Sequence, residues 1–341
     1  MTRRSSSSVT IRDVAREAGV SVATVSRYIN KNAPVSTEVA ERLQDVMSRM
    51  RYVPHAAARN LASRKTRVIG LLLNNLHNDF FVPLLNGVEA VVREKGYNLI
   101  IATYHANSRE YMHPPIGPHN TDGLLVFSDG LVDDDLARLH ARGFPMVLVH
   151  RTPPPHLPIP SVTVENIRVA GHLVEHLIKV HGKRRILFLR GPVHQEDSML
   201  RETGYKSALQ TNGIPVDENL ILNGDFERDI AYDAMNKFLG NGRQVAFDAV
   251  FTGDDDAAIG VLKSLHEHGI RIPEDVSVIG FDDLGFAPFL NPPLTTVRAP
   301  TEKVGQIAAE RLFGLLEDHQ SDEVIILPTE IIFRRSCGCE L

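Results

Sequence analysis

Residues 9–30 read VTIRDVAREAGVSVATVSRYIN, and this stretch predicts two short helices joined by a Gly-Val-Ser turn. Thr10, followed three positions later by Asp13, is a capping-box start. Gly19 stands where the end of a helix favours left-handed backbone, and Ser21 can accept a backbone N–H bond as the N-cap of the second helix. Caps, turn and spacing therefore agree on a helix-turn-helix.

The apolar positions of this stretch give each helix an inner and an outer face. On the first helix they recur at i, i+3, i+4 and i+7, at Ile11, Val14, Ala15 and Ala18. On the second helix Val25 and Ile29 are one turn apart and are predicted to point inward. The outer face then consists of Val22, Ala23, Ser26, Arg27 and Asn30. A helix-turn-helix places such a face in the major groove of DNA, and the alternative is an ordinary small helical hairpin.

The charge of the chain is divided between a basic head and an acidic remainder. Residues 1–67 carry 13 Lys and Arg against 5 Asp and Glu, whereas the remainder carries 24 against 37. A basic segment binds a polyanion through counterion release, and an acidic body limits unspecific adhesion to DNA. The division favours DNA binding by the head, although basic N-terminal tails also occur for other reasons.

Length and composition indicate a globular chain of more than one domain, with 341 residues of which 43% are hydrophobic. The start MTRRSSSS leads into charged helix rather than into the apolar core of a secretory signal, and no segment approaches the ~20 apolar residues of a membrane span. We therefore expect a cytoplasmic protein without a membrane partner. The two cysteines, Cys337 and Cys339, suit neither an intrachain disulfide nor, without a nearby second pair of ligands, a metal site. No metal or other cofactor is expected.

A third helix is predicted to begin at Ser36, with apolar positions at helical spacing as far as Met50. After Pro54, residues 55–65 read HAAARNLASRK, which is short, Ala-rich and basic. An isolated segment of this length does not hold a helix in water. We expect it to fold only when it is docked on DNA together with a partner chain.

From Val68 onward, apolar runs typical of buried strands alternate with helical stretches. The runs are VIGLLL, NLIIA, GLLVF, MVLV, RILFLR, AVFTG and VSVIGF. This alternation predicts an α/β body of parallel sheets flanked by helices. One stretch departs from it, because the three prolines between residues 105 and 122 prevent a continuous helix there. The histidines of that stretch, His105, His113 and His119, lack the companion ligands of a metal site, so we expect a loop.

The chain resembles the LacI/GalR family of bacterial transcription regulators over essentially its whole length. The segments that carry the resemblance are Thr10 to Asn30, Tyr52-x-Pro54, Ala58-Arg59-x-Leu61 and Ile69-Gly70. It implies an all-α helix-turn-helix headpiece and an α/β body like the periplasmic sugar-binding proteins, with two Rossmann-like subdomains. The expected divisions are a headpiece at 1–53, a hinge at 54–67, and a body at 68–341 with subdomains at about 68–164 plus 298–328 and at about 165–297 plus 329–341.

The resemblance also implies which residues contact DNA. Val22, Ala23 and Arg27 are expected at base edges, where Arg27 can make a bidentate contact to guanine. Phosphate contacts, which set register rather than sequence, are expected from Thr10, Ser21, Thr24, Ser26 and Asn30. In the hinge, Ala58 and Leu61 are expected in the minor groove, with Leu61 as an apolar wedge. The alternative for Leu61 is a linker residue packed on the body.

Ligands of open parallel sheets bind beyond the carboxyl ends of the strands. Of the residues there, the resemblance assigns to the effector Phe80, Arg201, Phe226, Asp254 and Asp282. Phe80 can stack on a sugar or belong to the core, and Arg201 can grip a ligand or form a surface ion pair. Asp254 departs from the usual Asn-Asp of the family, which favours a hydroxyl-rich ligand over an anionic one. Its alternative is helix capping, which Asp255 or Asp256 could supply equally well.

We therefore expect a repressor that binds a palindromic operator as a homodimer and is controlled by a small-molecule effector, most simply a mono- or disaccharide. A purine or nucleoside effector is one alternative. A solute-binding receptor is another, and the basic headpiece opposes it. An enzyme is not expected, because no GxGxxG follows a strand and neither a P-loop nor a Ser/His/Asp set is present. The helix from Phe81 to Lys95 is expected to form part of the dimer contact.

Overall fold

The computed structural model describes most of the chain and divides it into two compact units, residues 1–67 and 68–341. The described residues are 9–30, 33–52, 65–77, 79–104, 114–240, 247–319 and 321–340. Within these ranges, none of the helices combines the length and the apolar composition needed to cross a bilayer.

The first unit contains the three predicted helices. They are α1 (Ile11–Ala18), α2 (Val22–Asn30) and α3 (Thr37–Arg49). The capping box is present, since Thr10 Oγ1 accepts the Asp13 N–H and the Asp13 carboxylate accepts the Thr10 N–H at 3.0 Å. Gly19 ends α1 at φ +63°, and Ser21 Oγ accepts the Thr24 N–H at 3.1 Å. The predicted helix-turn-helix is thus confirmed in its caps as well as in its helices.

The three helices enclose a small apolar core. Its buried members are Val14, Ala15, Ala18, Val25, Leu43, Val46 and Tyr52. The predicted inner face of α1 supplies three of them, and Val25 is fully buried as the predicted face of α2 requires. Ile29 packs at the margin of the same core. Because the inner faces are committed to this core, the opposite face of α2 is left to solvent.

The second unit is built of alternating strands and helices. The strands are β1 (Val68–Leu73), β2 (Asn98–Thr103), β3 (Gly123–Phe127), β4 (Met146–Val149), β5 (Ser161–Val164), β6 (Ile186–Arg190), β7 (Ile221–Asn223), β8 (Ala249–Thr252), β9 (Ser277–Ile279), β10 (Thr296–Arg298), β11 (Val324–Leu327) and β12 (Glu330–Ile332). The helices are α4 (Phe81–Glu94), α5 (Asp133–Ala141), α6 (Ile167–Lys179), α7 (Glu196–Thr211), α8 (Arg228–Leu239), α9 (Asp255–Glu267) and α10 (Thr301–Leu316).

Two parallel sheets organise the body. The larger has the order β11-β5-β4-β3-β1-β2 and the smaller the order β7-β6-β8-β9. Strands such as β3 and β4 are buried throughout, as expected of sheets covered on both faces. The chain passes from the larger sheet to the smaller after β5, returns through β10, and leaves again through β12, which pairs antiparallel with β10. The α/β body with two Rossmann-like subdomains is therefore confirmed.

Two local features affect how the larger subdomain packs. Helices α4 and α10 meet backbone to backbone, because a Cβ at Gly87 would lie 2.0 Å from the Glu302 carbonyl oxygen, and one at Gly305 would lie 2.4 Å from that of Leu84.

The proline-containing stretch is not helical over residues 114–122, where turns surround the buried Ile116. His105 and His113 lie outside the described residues, and His119 is exposed.

Candidate functional site

The outer face of α2 is open to solvent. Val22 is 42% exposed, Ala23 and Arg27 are exposed, and Val25 on the opposite side is fully buried. Within the described part of the chain, Arg27 has no hydrogen bond or ion pair, so its guanidinium group is free to meet a partner. Apolar and cationic groups together on one exposed helix face suit the thymine methyl group and the guanine edge of a major groove.

Of the side chains predicted to contact phosphates, those of Thr24 and Ser26 lie on α2, and Ser21 lies directly before it. Ser21 is exposed and its Oγ lies 2.9 Å from Thr24 Oγ1, while Thr24 and Ser26 are half-buried. Thr10 is exposed, and its hydroxyl donates to Asp13 at 2.7 Å, so a phosphate would have to compete with that bond. Ala58, Leu61 and the side chain of Asn30 lie outside the described residues. The described α2 residues thus lie together on one helix, and their DNA contacts, like those of the hinge, stay predictions.

A cleft of about 520 Å³ lies between the two subdomains of the body. All five residues expected at the effector site line it: Phe80, Arg201, Phe226, Asp254 and Asp282. Side chains that follow β1 and β3 form one wall, and side chains that follow β6, β7, β8 and β9 form the other. The position agrees with the rule that ligands bind at the carboxyl ends of parallel strands.

Arg201 on α7 is the most heavily bonded side chain of the cleft. It is 2% exposed, so the alternative of a surface ion pair is wrong. Its Nε donates to Asn166 Oδ1 at 2.9 Å, its Nη1 donates to the Gly253 carbonyl at 2.6 Å, and its Nη2 lies 3.4 Å from Asp282 Oδ1. The guanidinium carbon lies 3.6 Å from the centre of the Phe281 ring. These contacts fix the plane of the guanidinium group at the base of the cleft.

Asp254 both lines the cleft and caps a helix, and its contact with an effector stays a prediction. It lines the cleft, and its Oδ1 also accepts the Ala257 N–H at 2.9 Å as the N-cap of α9. The expectation that Asp255 or Asp256 could cap this helix equally well is wrong. Asp255 instead accepts from Thr296 and from the Leu284 backbone, and Asp256 binds Arg228.

Asp254 and Asp282 form a buried acidic pair beside Arg201. Burial, and after it the charge of Asp282, raises the pKa of Asp254 well above its usual range. Burial also raises the pKa of Asp282, while Arg201 acts in the opposite direction. Asp282 has a φ of +108°. This backbone conformation is uncommon for residues other than glycine and is often found at functional sites. The carboxyl oxygens of both residues can accept hydrogen bonds from the hydroxyl groups of a ligand.

Two aromatic rings line opposite walls of the cleft. The Phe226 ring covers the glycine that follows β6, since a Cβ at Gly191 would lie 2.2 Å from it. Phe80 is 9% exposed and meets the rings of Phe127 and His150 edge-on. Phe80 therefore belongs to the core and also lines the cleft, and its stacking on a ligand stays a prediction.

A buried network beside Arg201 was missed at the level of sequence. Asp197 Oδ2 lies 2.8 Å from His150 Nδ1, and Asp197 Oδ1 accepts from Asn166 Nδ2 at 2.8 Å. Burial raises the pKa of Asp197, but the charges and hydrogen bonds of His150, Arg201 and Asn166 outweigh it and leave this pKa below its usual value. The available signal was spacing, because Asp197 precedes Arg201 by one helical turn, and His150 follows β4 at its carboxyl end.

Further bonds cross the cleft at the start of α7. Glu196 Oε2 accepts the Thr152 N–H at 2.7 Å and the Thr152 hydroxyl at 3.0 Å. Asp129 accepts from Gln195 Nε2 at 3.3 Å and lies 2.8 Å from His194 Nε2. Together with the contact between His150 and Asp197, these bonds join the two subdomains, and we call them the latch.

Comparison with known proteins agrees with this architecture. Residues 10–55 match the profile described as bacterial regulatory proteins, lacI family, and residues 174–337 match that of a periplasmic binding protein-like domain. Catabolite control protein A of Priestia megaterium is 32% identical, over 96% of this chain and 99% of its own. The HTH-type transcriptional repressor PurR of Vibrio atlanticus is 34% identical, over 95% and 97%.

Solved structures show the same likeness. The Lac repressor dimer bound to operator and the anti-inducer ONPF superposes with a TM-score of 0.79 at 25% identity, covering 97% of this chain and 99% of that one. The regulator CelR in complex with cellobiose gives 0.68 at 29% identity, covering 96% and 99%. A helix-turn-helix unit joined to a two-sheet body with a cleft defines a DNA-binding transcription regulator. The chain belongs to the LacI family of bacterial regulatory proteins.

Proposed function

We propose that this regulator is a repressor that binds a palindromic operator as a homodimer and is controlled by a small hydroxyl-rich effector in the cleft. The observation that carries the proposal is that all five residues expected at the effector site line one cavity, around a buried arginine. The headpiece supplies DNA binding, and the cleft supplies a site through which a small molecule can control it.

The DNA contacts follow from the exposed face of α2. Val22, Ala23 and Arg27 read base edges, with Arg27 as the residue that discriminates guanine. The phosphate contacts come from Thr10, Ser21, Thr24, Ser26 and Asn30. The hinge at 54–67 adds Ala58 and Leu61 in the minor groove, as the resemblance to the family implies.

The chemistry of the cleft favours a neutral polyol. Six of the residues that line it are Asp or Glu, and Arg201 is already engaged by buried partners, so an anionic effector would be repelled. Sugar hydroxyls are natural donors to Asp254 and Asp282, and Phe80 and Phe226 offer apolar faces to a sugar ring. A volume of about 520 Å³ suits a mono- or disaccharide. The complex of the relative CelR with cellobiose supports this choice.

A purine or nucleoside is the second candidate effector. The same aromatic faces, those of Phe80 and Phe226, can stack on a planar base. Several relatives at about one-third identity are repressors named PurR, such as that of Vibrio atlanticus at 34%. A panel of candidate ligands should therefore include nucleosides beside sugars.

Homodimer formation is supported by apolar side chains on the surface of the larger subdomain. Val82 at the start of α4 is 55% exposed, and Ile100 and Ile101 on the edge strand β2 are 40% and 38% exposed. Such groups are covered when a second copy binds. The Lac repressor relative is a dimer on its operator. A twofold dimer matches a palindromic site, because the symmetry of protein and DNA then coincide.

The latch gives the effector a means of acting at a distance. A ligand in the cleft contacts both subdomains and shifts the equilibrium between open and closed arrangements by its difference in affinity for the two. Closure changes which latch bonds can form and, through the dimer, whether two hinges can pair on DNA. The coupling is reciprocal, so an effector that weakens operator binding binds less well to the operator complex.

The proposed role is regulatory rather than catalytic, and the proposed location is the cytoplasm. The relatives are regulators and repressors. A headpiece that binds operator DNA acts in the compartment that contains the bacterial chromosome. The headpiece also distinguishes this chain from a solute-binding receptor, which the body alone would permit.

The test is a thermal-shift screen of the full-length protein against neutral sugars, acidic sugars and nucleosides, followed by operator titrations with each hit. We expect neutral sugars to raise Tm, since ligand binding stabilises the folded state, and the same compounds to change operator affinity. Stabilisation by acidic sugars alone would contradict the proposed cleft chemistry. Stabilisation without any change in operator affinity would contradict effector control.

A further inference from the structure

Four side chains with metal-binding atoms meet in the body, and none of them lines the cleft. His176 lies in the last turn of α6, and His181 lies two residues beyond its end. Cys337 ends a short 3₁₀ turn, and Cys339 follows two residues later. One nitrogen or sulfur atom from each residue lies within 4.8 Å of all the others. The four residues are not among those that line the cleft.

Four of the six separations between these atoms are known individually, and they are close to those of a tetrahedral zinc site. His176 Nε2 lies 3.1 Å from His181 Nε2, 3.3 Å from Cys339 Sγ and 3.8 Å from Cys337 Sγ. Cys339 Sγ lies 3.5 Å from His181 Nε2. With Zn–N near 2.05 Å and Zn–S near 2.3 Å, tetrahedral angles place two nitrogens about 3.4 Å apart and a nitrogen and a sulfur about 3.6 Å apart. Small adjustments of the side chains would bring all four onto one ion.

The residue between the two cysteines explains how both thiols reach the same point. Gly338 has a φ of +106°, which a residue with a side chain rarely adopts. A Cβ there would also lie 3.1 Å from His181 Nδ1. The His176 ring is held from another side by Phe333, with ring centres 4.3 Å apart. The arrangement is thus specified by a glycine and by packing, in addition to the four ligands.

Hydrogen bonds fix the cysteine-bearing turn to the smaller sheet. Ser336 Oγ accepts the Thr295 N–H at 2.8 Å and donates to the Val278 carbonyl at 2.6 Å. Ser277 Oγ donates to the Cys337 carbonyl at 2.9 Å. The Thr295 hydroxyl lies 3.1 Å from Cys337 Sγ, where it can donate to a thiolate. Such outer hydrogen bonds orient the ligands of metal sites and tune their affinity.

The position of the cluster gives an ion access from solvent. Cys337 is fully buried, whereas Cys339, His176 and His181 are partly exposed. An ion can therefore reach the site from solvent through the three partly exposed ligands. Cys337 would then coordinate it on the buried side.

We infer that His176, His181, Cys337 and Cys339 form a binding site for one Zn²⁺ ion. Each thiol loses its proton on binding, so the ion is held by two thiolates and two neutral imidazoles. A zinc site with four protein ligands and no open position is structural. The ion would tie the end of α6 to the segment that follows β12, and so strengthen the smaller subdomain. This site is independent of the effector and of the proposed repression.

The test uses the full-length protein, reduced and freed of metal by a chelator, and titrated with Co²⁺ as a spectroscopic probe of the zinc site. We expect one equivalent to bind, with the intense d–d bands of a tetrahedral ion and with thiolate-to-cobalt charge-transfer absorption. Zn²⁺ should then displace Co²⁺ and remove both signals. Zinc alone should raise the Tm of the protein, because only the folded chain holds the complete site.

Two variants complete the test. Cys339→Ser removes one partly exposed ligand and should weaken Zn²⁺ binding by more than about 100-fold. This loss is larger than that usually caused by changing a residue that only hydrogen-bonds to a metal ligand. The control, His172→Gln, changes an exposed histidine one turn earlier on α6 and should bind Zn²⁺ as the wild type does. The inference is overturned if the reduced wild type gives no charge-transfer band, or if Cys339→Ser binds zinc as tightly as the control. The wild-type spectrum decides even if the variant fails to fold.

Discussion

Replacing Arg201 by alanine is expected to destabilise the body as well as to impair effector binding. The side chains of Arg201 and Asp282 are each 3% exposed, and they lie 3.4 Å apart. Alanine would leave the Asp282 carboxylate buried without its cation and would deprive the Gly253 carbonyl of its donor. Removing one partner of a buried ion pair costs about 3–5 kcal/mol. At ~2–4 °C per kcal/mol, Tm should fall by roughly 6–20 °C.

The matched control is Arg271→Ala. Arg271 binds Asp275 four residues later, the same spacing that separates Asp197 from Arg201, but its side chain is 70% exposed. Exposed ion pairs contribute little, so the Tm of this variant should be almost unchanged. Thermal unfolding followed by circular dichroism compares the two. If Arg201→Ala unfolds at the same temperature as Arg271→Ala, the description of Arg201 as the buried centre of the cleft is wrong.

Three further predictions concern the headpiece, the acidic pair and the latch. Arg27→Ala should lose about 1–3 kcal/mol of discrimination at one base pair, measured by fluorescence anisotropy with singly substituted operators, and equal losses on all duplexes would contradict a base contact. Asp254→Asn keeps the N-cap acceptor but removes a carboxylate whose pKa is raised by burial and by Asp282. The folded protein holds that proton more tightly than the unfolded chain, so the wild type loses stability as pH rises above the usual carboxyl range. Asp254→Asn should raise Tm at neutral pH and flatten this dependence, whereas an unchanged profile of Tm against pH would refute the assignment. Glu196→Ala removes both latch bonds to Thr152 and should weaken effector binding by about tenfold, or ~1.4 kcal/mol, in isothermal titration; unchanged affinity would remove these bonds from the mechanism.

The headpiece could be predicted closely because its signals are local. Thr10 and Asp13 form the cap at the start of α1, and Gly19 ends that helix. Ser21 then caps α2. Each of these interactions joins residues no more than a few positions apart, so sequence spacing determines them. The alternating pattern of the body is informative for a similar reason, since most strands buried on both faces are near-continuous apolar runs.

The cleft network could not be predicted in the same way. His150, Asn166 and Asp197 come from three separate elements, and only the packing of two sheets brings them to one point. The capping role of Asp254 could not be predicted for the same reason. Its neighbour Asp255 instead accepts a hydrogen bond from Thr296, more than forty positions later in sequence. Which of several adjacent carboxylates caps a helix is decided by what the others contact.

The cluster around Cys337 and Cys339 is the clearest such case. The sequence shows two cysteines and no second pair of ligands nearby. His176 and His181 lie about 160 positions earlier, and the chain crosses between the sheets twice before it reaches the cysteines. Gly338 was the one local signal, since a glycine between two cysteines permits both thiols to face the same side.

The central claim is that α2 reads a twofold-symmetric DNA site and that the cleft controls its affinity. The most direct measurement is selection of duplexes from a random library by the full-length protein, followed by titration of the recovered duplex against salt, with and without a stabilising sugar. We predict an inverted-repeat sequence, an affinity that falls steeply as salt rises, and a further change in affinity when the sugar is present. Recovery of no common sequence, or an affinity that neither salt nor any ligand alters, would contradict the account.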